Sequence, residues 1–167
     1  MKIKNIVILV LPDDSFGEIG TVIPPLGVGI ISNYLTKHGY EHQIVDIFRD
    51  VWVNPELMKY TAMFEDLERI KNYTAGNPDD ELEKCFRMVL GNTPIEDGSV
   101  FAFSLDMEPR LVKVGALLGL SYFLKSACNC ITVTGGVVYT SWLFEIMKYA
   151  SIDFGVSSLD INSFSGH

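Results

Sequence analysis

Pro24-Pro25-Leu26-Gly27-Val28-Gly29-Ile30-Ile31-Ser32-Asn33-Tyr34-Leu35-Thr36-Lys37-His38-Gly39-Tyr40 is the stretch whose reading decides the fold. It predicts a loop, a helix start and a complete helix. Pro25 suits the first helical turn, where its missing N–H costs nothing. Leu26, Ile30 or Ile31, Tyr34 and Leu35 recur at helical spacing, and Gly39 predicts a left-handed cap. A strand is expected before this helix, at the apolar run 6–10, and another after it, at 43–46. Strand, loop, helix and strand make one βαβ unit.

Working outward, the run at 6–10 is apolar on both faces, which fits the buried centre of a parallel sheet. The loop after it, from Pro12 to Ile23, is long for a strand-to-helix connection. It is either a functional loop over the carboxyl ends of the strands or a plain surface loop. Asp46 ends the second strand, where it either binds a ligand or caps the next turn. A helical insertion follows at about residues 51–97. Asn54-Pro55 predicts an N-cap and first-turn proline, with Leu57, Tyr60, Phe64 and Leu67 on one apolar face. Asp79 or Asp80 predicts the start of a second helix, with Leu82, Cys85, Phe86 and Val89 inward and Gly91 at its end. This aromatic stripe reads as core rather than as a cofactor box.

A third strand is expected at 100–104, then a helix at 111–125 with Val114, Leu117 or Leu118 and Phe123 buried. A fourth strand at 130–134 ends in Gly135-Gly136. A helix from Thr140 or Ser141 to 149 leads to a fifth strand at 152–156. Strands alternating with helices predict a three-layer α/β sandwich, Rossmann-like or flavodoxin-like, with a five-stranded parallel sheet in the order 2-1-3-4-5. Residues 1–156 form this domain, and 157–167 read as a tail or linker. The expected ligand-facing loops are 12–23, 104–110 and 135–139.

The chain has 167 residues, of which 48% are hydrophobic, enough for one domain with a real core. Its net charge of −8 argues against a nucleic-acid partner, which needs a basic face. The apolar run at 6–11 is too short for a signal peptide or a membrane span. Cys85, Cys128 and Cys130 are too few and wrongly spaced for a zinc site or a disulfide framework, so a reducing, cytoplasmic home is the expectation.

Gly135-Gly136 lets a backbone approach a ligand closely, or simply turns the chain. Ser104 either hydrogen-bonds a ligand over the switch point or caps the next turn. Gly27-x-Gly29 lacks the third glycine of a dinucleotide fingerprint, and no phosphate-loop lysine motif is present. His38 and His42 fall at the amino-terminal edge of the sheet. Asp13 and Asp14 have no histidine or further carboxylate near them in sequence and read as a solvated turn. No nucleophile with a base and no acid–base pair stands out, so no catalytic residue and no metal ligand is assigned.

Pro24-Pro25-Leu26-Gly27, the helix ending Tyr34-Leu35-x-x-His38-Gly39-Tyr40, and Val45-Asp46 carry a family resemblance, joined by Phe103-Ser104, Thr134-Gly135-Gly136 and Ile152-Asp153-Phe154-Gly155-Val156. The chain resembles the amino-terminal cobalamin-binding-type domain of B12-dependent radical S-adenosylmethionine (SAM) enzymes. The resemblance implies a module that cradles cobalamin, with Asp13, Ser15, Phe16, Gly17, Pro25, Leu26, Gly27, Ser104, Leu105, Asp106, Gly135, Gly136 and Val137 as cofactor-binding residues. It implies a radical SAM core, on another domain or protein, as the partner that does methyl transfer or related chemistry. The loop Asp13-Asp14-Ser15-Phe16-Gly17 has no histidine, so histidine ligation of cobalt is excluded there. Of a Ser-x-Leu triplet only Ser104-Leu105-Asp106 is kept. No Cys-x-x-x-Cys-x-x-Cys occurs, so this chain holds no iron–sulfur cluster. It is then either an excised domain or a stand-alone relative. The alternatives are a degenerate domain without cofactor, used in partner or substrate recognition, and an unrelated flavin or nucleotide binder. On this reading Gly135→Val or Gly136→Val abolishes corrinoid binding and leaves the fold intact.

Overall fold

Five strands pair into one parallel sheet in the computed structural model, which describes residues 3–12, 26–105, 110–136 and 140–157. The strands are β1 (Asn5–Val10), β2 (His42–Asp46), β3 (Ser99–Leu105), β4 (Ile131–Gly136) and β5 (Phe154–Ser157), in the order β2-β1-β3-β4-β5. This is the expected winding. The helices are α1 (Leu26–Lys37), α2 (Ile47–Val53), α3 (Pro55–Met58), α4 (Thr61–Glu65), α5 (Leu67–Thr74), α6 (Asp80–Leu90), α7 (Leu111–Ala127) and α8 (Thr140–Met147).

Alternation along β1 sends its residues into two separate cores. Val7, Leu9 and Leu11 join the larger one, with Phe101, Phe103 and Leu105 of β3 and the inward residues of α2 to α8. Ile8 and Val10 face the other way and meet Val28 of α1, with Leu35 and Phe48 packed alongside. Among the described residues the two faces are therefore unequally covered. On the larger side α7 is itself buried between the sheet and a second tier, with Ala116, Leu117, Leu120 and Leu124 fully enclosed. Among the described residues, α1 is the only helix whose buried residue belongs to the smaller core.

The second tier is the insertion, and an aromatic cluster joins it to α7. Phe86 of α6 stands 6.1 Å from Phe64, 5.7 Å from Tyr73 and 5.6 Å from Phe123, centroid to centroid, within the range where ring pairs attract. Gly115 makes the closest approach possible, because a Cβ there would strike the Phe64 carbonyl oxygen of α4. The stripe of aromatics is thus core, as expected.

The insertion is more finely divided than its periodicity suggests. Asn54 caps α3 by accepting from the Glu56 amide at 3.0 Å, but the helix soon breaks. Asp66 leaves helical geometry and accepts from Arg69 N, which starts α5 afresh. The apolar spacing of Leu57, Phe64 and Ile70 survives the breaks because all three reach one core. α2 is an addition to the sequence reading. Its β-branched and aromatic residues favour helix weakly, yet Asp46 caps it by accepting from Arg49 N, and Ile47 and Val51, one turn apart, are fully buried. Asp46 is therefore a cap. β5 starts at Phe154 because Asp153 is used otherwise: its carboxylate accepts from Thr132 N at 2.8 Å and from Lys125 Nζ.

Asp79 caps α6 through Leu82 N and takes a two-pronged bond from Arg69, at 2.6 and 2.8 Å. The Arg69 guanidinium holds its carboxyl down at about 2 against an ordinary 3.8. A carboxylate depressed by folding contributes stability that is full above its unfolded value and lost as pH falls through the folded one. The pair should therefore stabilise the fold fully above about pH 4 and progressively less towards pH 2. The urea midpoint of Asp79→Asn should sit below that of the wild type at neutral pH and converge on it below pH 4. A gap of constant size across that range would sink the assignment.

Candidate functional site

Strand register assembles the site. Val10 of β1, Ser104 of β3, Gly135 of β4 and Val156 of β5 lie in one row across the carboxyl ends of four strands. One pleat back, Ile8, Ala102, Val133 and Phe154 form a second row. Both rows face the α1 side, because Ile8 and Val10 belong to the core under α1. β1 and β3 are sequence-distant neighbours, so this is the switch point of the sheet, where open α/β folds bind ligands.

α1 is held in one rotation over the sheet. Ser32 Oγ and His42 Nε2 are 2.7 Å apart, which turns that flank of the helix towards β2. At 100° per residue Gly27, Ile31 and Tyr34 fall on the opposite flank, turned away from β2. The strip of β3, β4 and β5 beside this flank is called the trench below. Its wall is apolar and its floor is small: Ala102, Ser104, Val133 and Gly135 are half-buried. Phe154 and Val156 form the far rim and are 59% and 57% exposed. Among the described residues the Ser104 hydroxyl has no hydrogen-bond partner, so it is free to meet one from a ligand.

Of the residues expected to bind a cofactor, the structure brings Ser104, Leu105, Gly135 and Gly136 together, with Ser104 opposite Gly135 and Leu105 opposite Gly136. Only Ser104 and Gly135 open onto the trench floor. The Leu105 side chain points to the other face and is buried in the larger core. Leu26 and Gly27 begin α1 and are exposed. Asp13, Ser15, Phe16, Gly17, Pro25, Asp106 and Val137 lie outside the described residues. Sequence reasoning did not single out Ala102, Val133 or Val156. The signal was available in the two-residue alternation of each strand counted from Ser104 and Gly135.

The glycine pair has a structural reason of its own. Gly136 has φ 146°, and a Cβ on it would collide with the Leu105 carbonyl oxygen. A Cβ on Gly135 would lie 2.5 Å from the Val156 carbonyl oxygen. The close approach these glycines permit is that of the neighbouring strands. The expectation that valine at either position leaves the fold intact is corrected accordingly.

Among the described residues, the two rows carry no ionisable side chain. Elsewhere, burial pushes the Cys85 and Cys130 thiols up to about 12, which keeps both protonated and non-nucleophilic at neutral pH. Among the described residues no group of three or more His, Cys, Asp or Glu side chains could hold a metal ion, and no helix is long and apolar enough to cross a membrane. Compared with known protein families, curated proteins and solved structures, the chain shows no match.

Proposed function

We propose that this chain is a corrinoid-binding module that serves a radical SAM core carried on another domain or protein. The observation that carries this reading is the juxtaposition of Ser104 with Gly135, in register at the carboxyl ends of β3 and β4 beside the switch point. The residues present fit such a group. A floor of Ala102, Ser104 and Gly135 leaves room above the sheet, and the unpartnered Ser104 hydroxyl offers a hydrogen bond to the polar tail of the cofactor. The apolar flank of α1 walls that tail from water. When bound, a corrinoid supplies a cobalt centre able to carry a methyl group. His42 is tied to Ser32 at the start of β2, at the opposite end of the sheet from this row, so it is no candidate for the cobalt's lower ligand.

The test is a titration with hydroxocobalamin, followed by desalting and a visible spectrum. Wild-type protein should retain about one equivalent of corrinoid. Ser104→Leu should retain none while its far-ultraviolet circular dichroism stays unchanged, because the new side chain fills the trench rather than the core. A folded wild type that emerges colourless would overturn the reading in favour of a cofactor-free docking domain, which the exposed apolar side chains of α1 favour.

A further inference from the structure

α1 carries two hydroxyls one turn apart, on Ser32 and Thr36, and they are used differently. Thr36 Oγ1 donates to the Ser32 carbonyl oxygen at 3.0 Å, the ordinary fate of a hydroxyl inside a helix. The Ser32 hydroxyl instead meets His42 Nε2 at 2.7 Å. The other ring nitrogen of His42, Nδ1, lies 3.1 Å from the Tyr40 carbonyl oxygen. A carbonyl only accepts, so in the neutral imidazole Nδ1 carries the proton and Nε2 presents its lone pair to Ser32. The Ser32 hydroxyl is therefore the donor. Tyr40 is itself held in place, because its N–H donates to Leu35 O at 3.0 Å where α1 ends. A hydroxyl, a base and a fixed group that sets the tautomer of the base are joined in series, the arrangement that activates a serine. Ten positions separate Ser32 from His42, and the turn between α1 and β2 brings them together.

We propose that Ser32 and His42 are a nucleophile and base that hydrolyse small, activated carboxylic esters. Both residues are partly exposed. Beside them Ile44, on the same face of β2 as His42, is 45% exposed and offers an apolar ledge to an acyl group. As Ser32 Oγ bonds to the ester carbonyl carbon, its proton passes to His42 Nε2. The bond from that carbon to the alcohol oxygen then breaks, and the departing oxygen takes the proton. Water enters next. It gives one proton to Nε2 as its oxygen bonds to the acyl carbon, and Ser32 Oγ leaves with that proton. Ester and water become acid and alcohol, with no oxidation or reduction and the protein restored. The orienting group is a neutral carbonyl, which fixes the ring but brings no full charge to stabilise the imidazolium that forms. Esters whose leaving alcohols are acidic are therefore the class that suits the pair. It sits at the amino-terminal end of the sheet, opposite the row of Ser104 and Gly135. The inference neither rests on the corrinoid reading nor competes with it for space.

p-Nitrophenyl acetate, without added corrinoid, tests it. Wild-type protein should release nitrophenolate faster than buffer does, and peptide mass mapping of protein quenched during turnover should find an acetyl group on Ser32. His42→Gln, which can still accept a hydrogen bond from Ser32 but cannot take its proton, should slow that acetylation about a hundredfold, the ordinary worth of a general base, with circular dichroism unchanged. His38→Gln removes an exposed imidazole that lies against the Tyr34 ring. It should leave the rate unchanged, which separates the pair from the background reaction of surface imidazoles with this ester. Wild-type protein that carries no acetyl group on Ser32 would overturn the inference, and that result depends on no variant's folding. So would a His42→Gln variant acetylated at the wild-type rate, which would leave the Ser32–His42 bond purely positional, or a His38→Gln variant that alone loses the release. Turnover by a protein that retains no corrinoid refutes the proposed function only, and a corrinoid-loaded protein inert to the ester refutes the pair only.

Discussion

Phe86→Ala should cost about 3–5 kcal/mol of stability, the ordinary range for deleting a fully buried phenylalanine. The ring is wholly enclosed and touches the insertion and α7 together, with Phe64, Tyr73 and Phe123 all within 6.1 Å. A Cβ on Gly119 would come within 2.5 Å of the Phe86 ring, so the ring lies directly against the backbone of α7. Alanine leaves a cavity that three short helices on one side and a fully packed helix on the other cannot close. Against a total of about 5–15 kcal/mol this is a large fraction. The melting temperature of a domain this size should fall by roughly 6–20 °C. Phe86→Leu, which keeps most of the volume, should lose less than half as much. Calorimetry of the three proteins decides the matter, and an alanine variant within about 1 kcal/mol of wild type would mean that the cluster is not a packed core.

Gly136→Val should be the most damaging single change at the carboxyl edge of the sheet. Two penalties act together. The residue holds φ 146°, a conformation that side-chain-bearing residues adopt only under strain, worth about 1–3 kcal/mol. The new Cβ also meets the Leu105 carbonyl oxygen on the neighbouring strand, and backbone in a ladder cannot swing aside as a flexible side chain can. The β3–β4 pairing must open at that end, exposing Leu105 from the core. A loss of at least about 3 kcal/mol, or failure to accumulate as soluble protein, is expected. Urea denaturation of Gly136→Ala, which carries the strain with the smallest possible side chain, gives the graded version. If the alanine variant unfolds at the wild-type midpoint, the strain account fails. Ser104, whose side chain faces the trench, is the position that separates binding from folding.

The strands and their order were legible in the sequence because a buried parallel sheet leaves short, unbroken apolar runs such as residues 6–10 and 100–104, and because each is followed by a helical spacing. Ser104 and Gly135 were legible as strand ends for the same reason. α2 was not, since Ile47-Phe48-Arg49-Asp50-Val51-Trp52-Val53 carries strand-like propensity and becomes helical only when its Ile47 and Val51 find the core. The rotation of α1 was not legible either. Its apolar residues surround the axis, so periodicity alone does not choose an inward face. Val28 faces the sheet, and the Ser32–His42 contact between distant residues marks the flank turned towards β2. The role of Gly136 needed the third dimension, because the atom it avoids belongs to Leu105, thirty-one positions earlier in the chain.

The second tier over α7 has a consequence for modularity. Written as a line of letters, residues 51–97 look like a passenger, a segment spliced into a five-strand domain and removable from it. In space they are insulation. Phe64, Ile70 and Phe86 are fully enclosed against a helix whose own residues are apolar on the side away from the sheet as well as the side towards it. Cutting the segment back to a single crossover would leave α7 with an oily exterior and no room to hide it. The smallest unit that evolution or an engineer can move intact therefore includes the segment, and α7 and the tier above it have to change together.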